Sequence, residues 1–237
     1  MDDRRILEAH DGAIPEHVAA IAREFRDGFE LVDSIDRPGV TIFGSARVAE
    51  GHPAYEAARE LGRRFAERGW AVVTGGGGGV MEGANRGAHE AGGCSVGFNI
   101  TLPFEQMGNP YVDIEYEFGH FYSRKTMLVK AAEGFVLMPG GFGTLDEMFE
   151  SLTLIQTGKV RNFPVVLFGS DFWRGLVDWI EARPLVEGMI SPEDMDLLLV
   201  TDDPEEAVQA IVSCYDRRCA EAPVATGKED APTLNRV

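Results

Sequence analysis

The chain has 237 residues, of which 44% are hydrophobic and 26% are charged, a profile typical of one globular domain. Its 39 acidic and 22 basic side chains give a formal net charge of −17, and such a surface repels phosphate backbones, so we expect no nucleic acid partner. The sequence has neither a run of about 20 apolar residues nor an apolar leader, and we therefore expect a cytoplasmic protein without a membrane partner.

The first segment with a clear period lies between Pro15 and Ile35. Its apolar residues recur every three or four positions, which predicts an amphipathic helix docked on the main domain. From residue 220 onward no apolar period occurs, and this composition predicts a mobile tail. We therefore divide the chain into an N-terminal helical segment (1–37), a nucleotide-binding catalytic domain (38–219) and a tail (220–237).

After residue 38, short apolar runs alternate with amphipathic helical patterns. The runs predict strands at 40–43, 71–74, 95–98, 134–138, 164–168 and 197–200. The intervening patterns predict helices over 55–68, up to about 91, up to about 156, and over 171–182 and 204–218. This alternation predicts an α/β fold, a Rossmann-like doubly wound parallel sheet with helices on both faces. Ligands of such sheets bind beyond the carboxyl ends of the strands.

A first glycine-rich turn, Gly75 to Gly79, stands between a predicted strand and a predicted helix. Glycines let a backbone approach a ligand closely, and the free N–H groups of a helix start attract an anion. The turn is therefore a candidate phosphate site, although a tight turn that needs positive φ angles would also require glycine. It is not a Walker A loop, and no register of it satisfies GxGxxG.

A second turn, Pro139 to Glu147, stands in the same position after a later strand. Thr144 and Glu147 fit the S/T-x-x-E capping box, which gives Glu147 a structural interpretation beside a functional one.

A basic pair, Arg124 and Lys125, starts the helix that precedes the second turn. Adjacent residues point about 100° apart on a helix, so only one of the pair can enter a given pocket, and a solvated basic face is the alternative. We expect the nearby His120 to lie at the surface. The five histidines and three cysteines show no ligand spacing, so we expect free thiols, no metal site and no cofactor.

Three segments together resemble the Lonely Guy (LOG) family, the cytokinin riboside 5′-monophosphate phosphoribohydrolases. They are 75–82, Ser123-Arg124-Lys125 and the PGGxGTxxE stretch 139–147, and the resemblance covers about 40–212. It implies that Arg124 and Glu147 are catalytic, that the substrate is a nucleoside 5′-monophosphate, and that the chain forms a homodimer or higher oligomer. The residues that it implies for the phosphate and ribose are Gly75, Gly76, Gly77, Gly79, Met81, Glu82, Lys125, Gly140, Gly141, Gly143 and Thr144.

The activity that this resemblance implies is hydrolysis of the N-glycosidic bond of AMP or an N6-prenylated adenosine 5′-monophosphate. Bond cleavage passes through an oxocarbenium-like state, which Glu147 would stabilise, while Arg124 would assist the departing base or anchor the base or the phosphate. The N-terminal helix and residues 121–123 resemble the longer bacterial group of the family. Members are often labelled lysine decarboxylases, but no pyridoxal phosphate site is recognisable.

Two other functions fit the glycine-rich turns. One is a broader nucleotide 5′-monophosphate nucleosidase. The other is a non-catalytic protein similar to the molybdenum-cofactor carriers. The presence of both Arg124 and Glu147 favours an enzyme, because a carrier has no evident need for a carboxylate beside the sugar.

Overall fold

The computed structural model describes residues 13–102, 108–160 and 163–221. The helices are α1 (Ala13–Asp33), α2 (Pro53–Glu67), α3 (Val80–Glu90), α4 (Phe121–Lys130), α5 (Phe142–Gln156), α6 (Ser170–Ile180), α7 (Pro192–Met195) and α8 (Pro204–Glu221). The strands are β1 (Gly39–Phe43), β2 (Ala71–Thr74), β3 (Cys94–Ile100), β4 (Ile114–Phe118), β5 (Phe135–Leu137), β6 (Val165–Phe168) and β7 (Leu198–Thr201). The predicted mobile tail lies outside the described residues, apart from its first two, which end α8.

The seven strands form one parallel sheet in the order β4-β3-β2-β1-β5-β6-β7. The chain builds one half outward from β1 and then returns to add β5 on the other side of that strand. This confirms the Rossmann-like doubly wound prediction. The order reverses between β1 and β5, and the carboxyl ends of these two strands therefore flank the crevice where such sheets bind ligands.

Apolar side chains cover both faces of the sheet. In β6, Val166 and Phe168 belong to a core shared with α2, α3 and α8, while Val165 and Leu167 belong to a core shared with α1, α4, α5 and α6. Successive residues of a strand point to opposite faces, so a strand buried on both sides needs a continuous apolar run. The apolar runs in the sequence arise from this arrangement.

The strand β4 is absent from the sequence-based prediction. It pairs with β3 at the edge of the sheet, and its Glu115 and Glu117 side chains are exposed. Charged residues that alternate with apolar ones are typical of an edge strand, where one face meets solvent. A search for continuous apolar runs overlooks such a strand.

The helix α6 differs from its prediction in its last turn. After Ile180 the chain continues through a π-helical turn, Glu181–Leu185, which contains Pro184. A proline in a helix removes a backbone donor, and the wider π-turn accommodates this loss.

No helix among the described residues is long and apolar enough to span a membrane, and none of the three cysteines forms a disulfide.

Candidate active site

A cavity of about 720 Å³ opens at the crevice between β1 and β5. Its wall combines the loop after β1, the start of α5, the end of β3, one residue of α3 and two residues of α4. The lining residues are Phe43, Gly44, Ser45, Ala46, Arg47, Gly75, Met81, Ile100, Leu102, Phe121, Arg124, Gly141, Phe142, Gly143, Thr144, Leu145, Asp146 and Glu147. The volume is within the range typical of small-molecule sites.

The helix α5 begins in the cavity wall. Gly141 is its N-cap residue, and the first amide that bonds inside the helix is that of Thr144, which donates to the Gly141 carbonyl at 3.0 Å. The amides of Phe142 and Gly143 precede it, and such early N–H groups have no partner within a helix. Together with the helix dipole they make this helix start suitable for an anion.

The predicted capping box at this helix start is wrong. The helix begins at Phe142, so Thr144 lies inside its first turn, and the cap residue Gly141 makes no side-chain cap hydrogen bond. A Cβ atom at Gly140 would overlap Thr144 Oγ1, so glycine at this position leaves room for the first turn of the helix. Glu147 is consequently free of the structural role that its spacing suggested.

Glu147 is buried in the cavity wall, with only 7% of its surface exposed. Burial, which disfavours the charged form, raises its pKa to about 7, and the cations of Lys125 and Arg124 offset part of that effect. Its Oε2 atom has no hydrogen-bond partner among the described residues. A buried carboxyl group that titrates near neutrality and leaves one oxygen unused is typical of a functional site.

Arg124 reaches the same cavity from α4. Its Nε donates to the Phe98 carbonyl at 2.7 Å, and its Nη2 lies 3.5 Å from the Gly75 carbonyl. A Cβ atom at Gly75 would overlap the guanidinium, so only glycine leaves room for this contact. Burial lowers the pKa of Arg124, and the charge of Glu147 opposes that change.

Lys125 points elsewhere. Its Nζ lies 3.0 Å from Asp146 Oδ2 and 3.0 Å from Glu150 Oε2, both on α5, and it is not among the residues that line the cavity. The prediction that only one member of the basic pair enters the pocket is therefore confirmed.

The first glycine-rich turn lies mostly behind the cavity wall. Of its predicted binding residues, Gly75 and Met81 line the cavity, and Gly76, Gly77, Gly79 and Glu82 do not. From the second turn, Gly140 also lies outside the lining.

Gly79 supports the loop after β1 instead. Its φ is +67°, and a Cβ atom here would overlap the Ser45 carbonyl oxygen. The next residue, Val80, donates its amide to that same oxygen at 2.9 Å. The turn therefore sets the position of the wall that contains Ser45 and Arg47.

Sequence reasoning missed the loop after β1, which contributes Ser45, Ala46 and Arg47 to the lining. Arg47 is an exposed cation at the carboxyl end of β1, opposite the start of α5 in the sheet order. Its position directly after a predicted strand was visible in the sequence. That β1 and β5 are neighbours was not, since they lie far apart in the chain.

The prediction that His120 lies at the surface is wrong. Its side chain is 7% exposed, and its Nδ1 lies 2.9 Å from Oε1 of Glu24 on α1. The long α1 helix covers it.

Comparison with known proteins gives consistent matches. A family model described as "Possible lysine decarboxylase" matches residues 81–211. The probable cytokinin riboside 5′-monophosphate phosphoribohydrolase LOGL5 of Oryza sativa subsp. japonica is 34% identical over 140 residues, which are 57% of this chain and 56% of that protein. The cytokinin riboside 5′-monophosphate phosphoribohydrolase of Mycobacterium tuberculosis is 33% identical over 160 residues, 65% of this chain and 83% of that one.

A solved structure is similar as well. The molybdenum cofactor carrier protein of Chlamydomonas reinhardtii matches with a TM-score of 0.57 and 27% identity. The match covers 76% of this chain and 99% of that one.

Proposed function

This chain belongs to the Lonely Guy (LOG) family, and on that premise we propose that it hydrolyses the N-glycosidic bond of AMP or of an N6-prenylated adenosine 5′-monophosphate. Water is consumed, and the products are the free base and ribose 5-phosphate. The observation that carries the proposal is that Glu147, Arg124 and the start of α5 share one cavity.

The start of α5 is our candidate for holding the 5′-phosphate. Phe142 and Gly143 offer backbone amides without a partner in the helix, and Arg47 supplies a cation from the facing loop. A net charge of −17 makes such a local source of positive potential necessary. Binding energy from the phosphate, which does not react, can then be used at the glycosidic bond.

Glu147 is our candidate for stabilising the reacting sugar. In its ionised form it opposes the positive charge that develops as the glycosidic bond breaks. The base leaves with the electrons of the bond, the attacking water adds to the sugar carbon, and the proton that this water loses ends on the departing base. Arg124, whose remaining N–H groups extend beyond its two carbonyl contacts, is our candidate for assisting the base.

The description of the family model suggests a different chemistry, which the residues do not fit. Pyridoxal phosphate enzymes hold their cofactor as a Schiff base on a lysine. No lysine is among the described residues that line the cavity, and Lys125 pairs with two carboxylates of α5. We derive no decarboxylation from this site.

A carrier is the second candidate, favoured by the likeness to the algal molybdenum cofactor carrier. A carrier needs donors for a phosphate, which the start of α5 provides. It does not need a buried carboxyl group whose unpaired oxygen costs stability. The burial of Glu147 therefore supports the hydrolase over the carrier.

The test is release of free base, measured by chromatography after incubation with AMP, an N6-prenylated AMP, other nucleoside 5′-monophosphates and adenosine. We expect release from the adenylates and very little from adenosine. Arg47→Ala should raise KM for AMP about tenfold or more, as expected for a lost charged hydrogen bond of roughly 1.5–3 kcal/mol, and leave the adenosine rate unchanged. Equal efficiency on AMP and adenosine would contradict the phosphate assignment, and equal rates on every nucleotide would indicate the broader nucleosidase.

A matched variant separates the hydrolase from the carrier. Glu147→Gln keeps the shape of the side chain and removes its charge, so AMP should still bind while base release falls about a hundredfold or more, as is typical when one electrostatic stabiliser is lost. Unchanged base release would contradict the role of Glu147. No base release from any nucleotide, with tight binding of a phosphorylated pterin, would favour the carrier.

A further inference from the structure

The N-terminal helix α1 packs against α4, the helix that carries Arg124. Gly28 of α1 lies directly against the Met127 side chain of α4, where a Cβ atom would be only 2.8 Å from Met127 Cγ. The two helices therefore approach closely. Any contact that α1 makes near the first turn of α4 can influence the candidate active site.

Glu24 makes such a contact. Its Oε1 atom accepts hydrogen bonds from the Gly119 amide and from His120 Nδ1, each at 2.9 Å. These two residues immediately precede α4, and His120 is its N-cap residue without a cap hydrogen bond from its own side chain. The other oxygen of Glu24 has no hydrogen-bond partner among the described residues. Within that part of the chain, the hydrogen bonds of this carboxyl group therefore all go to the two residues before α4.

The first turn of α4 in turn places two groups in the cavity. Phe121 and Arg124 both line it, and the Arg124 amide donates to the His120 carbonyl at 3.2 Å. A carboxylate at the N-terminus of a helix interacts favourably with the helix dipole. Only 14% of the Glu24 side chain is exposed, so solvent has little access to this contact.

From this geometry we infer that Glu24 is a positioning residue for Arg124. The helix α1 thereby contributes to the active site through its contact with the start of α4. The inference rests on the proposed hydrolysis for its kinetic consequence only. Glu24 is not among the residues that line the cavity. It fixes the start of α4, and α4 fixes the direction in which the guanidinium enters the cavity.

The test compares Glu24→Ala with Glu24→Gln and with Glu30→Ala, an exposed glutamate on the same helix. Small misplacements of a catalytic group cost up to about a hundredfold in rate, so Glu24→Ala should lower kcat for AMP about ten- to hundredfold with little change in KM. Glu24→Gln keeps a carbonyl acceptor and should recover most of that loss. Glu30→Ala should match the parent.

A double variant distinguishes positioning from general damage. If Glu24 acts through Arg124, then adding Glu24→Ala to Arg124→Ala should change kcat by less than about twofold, because coupled residues are not additive. A loss that multiplies in the double variant, or a kcat of Glu24→Ala equal to that of Glu30→Ala, would overturn the inference. Should Glu24→Ala not unfold cooperatively, Glu24→Asp, which is one carbon too short to reach both groups, takes its place with the same criteria.

Amide hydrogen exchange gives a readout that does not depend on activity. The amides of residues 124–127, of which that of Arg124 donates to the His120 carbonyl, should exchange faster in Glu24→Ala than in Glu30→Ala. If the parent protein releases no base but this difference is observed, the proposed function fails and the positioning of α4 stands. Equal exchange in the two variants would refute the positioning itself.

Discussion

Glu147 lies in an environment that favours its neutral form, whereas its proposed role requires the charge. Burial raises its pKa to about 7, and the nearby cations of Arg124 and Lys125 keep it from rising further. About half of the molecules therefore carry the charge at neutral pH. A carboxyl group in ordinary solvent would be fully ionised there but would exert a weaker field on the sugar.

The pH dependence of the reaction follows from this pKa. Since the ionised form is the active one, kcat/KM for AMP, which reports the ionisations of the free enzyme, should rise through pH 7 and be about a hundredfold lower at pH 5 than at its alkaline plateau, because about one molecule in a hundred is ionised at pH 5. Dividing this value by that of Glu147→Gln at each pH removes the ionisation of the free phosphate, which both proteins share. The residual rate of Glu147→Gln should lack this rise, and a parent rate that falls as pH increases through 7 would show that the protonated form is the active one.

The same pKa predicts the effect of Glu147 on stability. The native state holds the proton more tightly than the unfolded chain, so the free energy of unfolding decreases as pH rises from about 4.5 to 7, and the full cost is present above 7. Glu147→Gln should remove that cost and raise the free energy of unfolding at pH 8 by up to about 3 kcal/mol, with little gain at pH 4.5. Urea unfolding at both pH values measures it. Glu30→Gln, at an exposed position of α1, should give no gain at pH 8.

At the scale of elements, the first glycine-rich turn acts as a support for the loop after β1. This support predicts a difference between two glycines that both have positive φ. A Cβ atom at Gly92 would meet open space. Gly92→Ala should therefore lower the free energy of unfolding only by the cost of holding alanine at a positive φ, about 1–2 kcal/mol. Gly79→Ala also overlaps the Ser45 carbonyl and should cost about 1–3 kcal/mol more. Urea unfolding compares them, and equal losses would show that the loop can move aside.

The strand-turn-helix units were predictable because their causes are local. Apolar runs and glycines near 74 and 139 are enough to place a strand end beside a helix start, and the structure confirms both units. The roles of Arg47 and Glu24 were not predictable in the same way. Arg47 faces the start of α5 only because β1 and β5 are neighbours, and Glu24 meets His120 across 96 positions of chain. Contacts of this kind depend on the order of strands, which periodicity does not report.

At the scale of the whole molecule, exposed apolar side chains concentrate around α5, α6 and the π-helical turn. They are Phe149, Phe172, Trp179, Val186 and Met189, with exposures between 42% and 77%, and Phe142 of the cavity lining, with 92%. On α5, Leu152 and Ile155 are different, because they pack against the core. The remaining exposed group still exceeds what scattered surface residues require.

We therefore expect this face to pair with a second copy of the chain. Sedimentation should give a mass at least twice the 25.9 kDa of one chain. Trp179→Asp with Met189→Asp should lower it to that of a monomer, whereas Ile14→Asp with Val18→Asp, two exposed apolar positions of α1, should not. A monomer at micromolar concentration for the parent protein would contradict the prediction.

The cavity wall joins two stretches of chain, 43–47 and 141–147, with 93 residues between Arg47 and Gly141. No fragment that lacks either stretch contains the site, so a nucleotide can bind only after both halves of the sheet have met at β1 and β5. The fraction of chains that bind a nucleotide is consequently a measure of how many have completed the sheet. AMP at a hundred times its Kd should add about 2.7 kcal/mol to the free energy of unfolding, which a melting curve of the slow Glu147→Gln variant would record without consuming the ligand. Where AMP is abundant, the proposed substrate would then stabilise the assembled chain against unfolding.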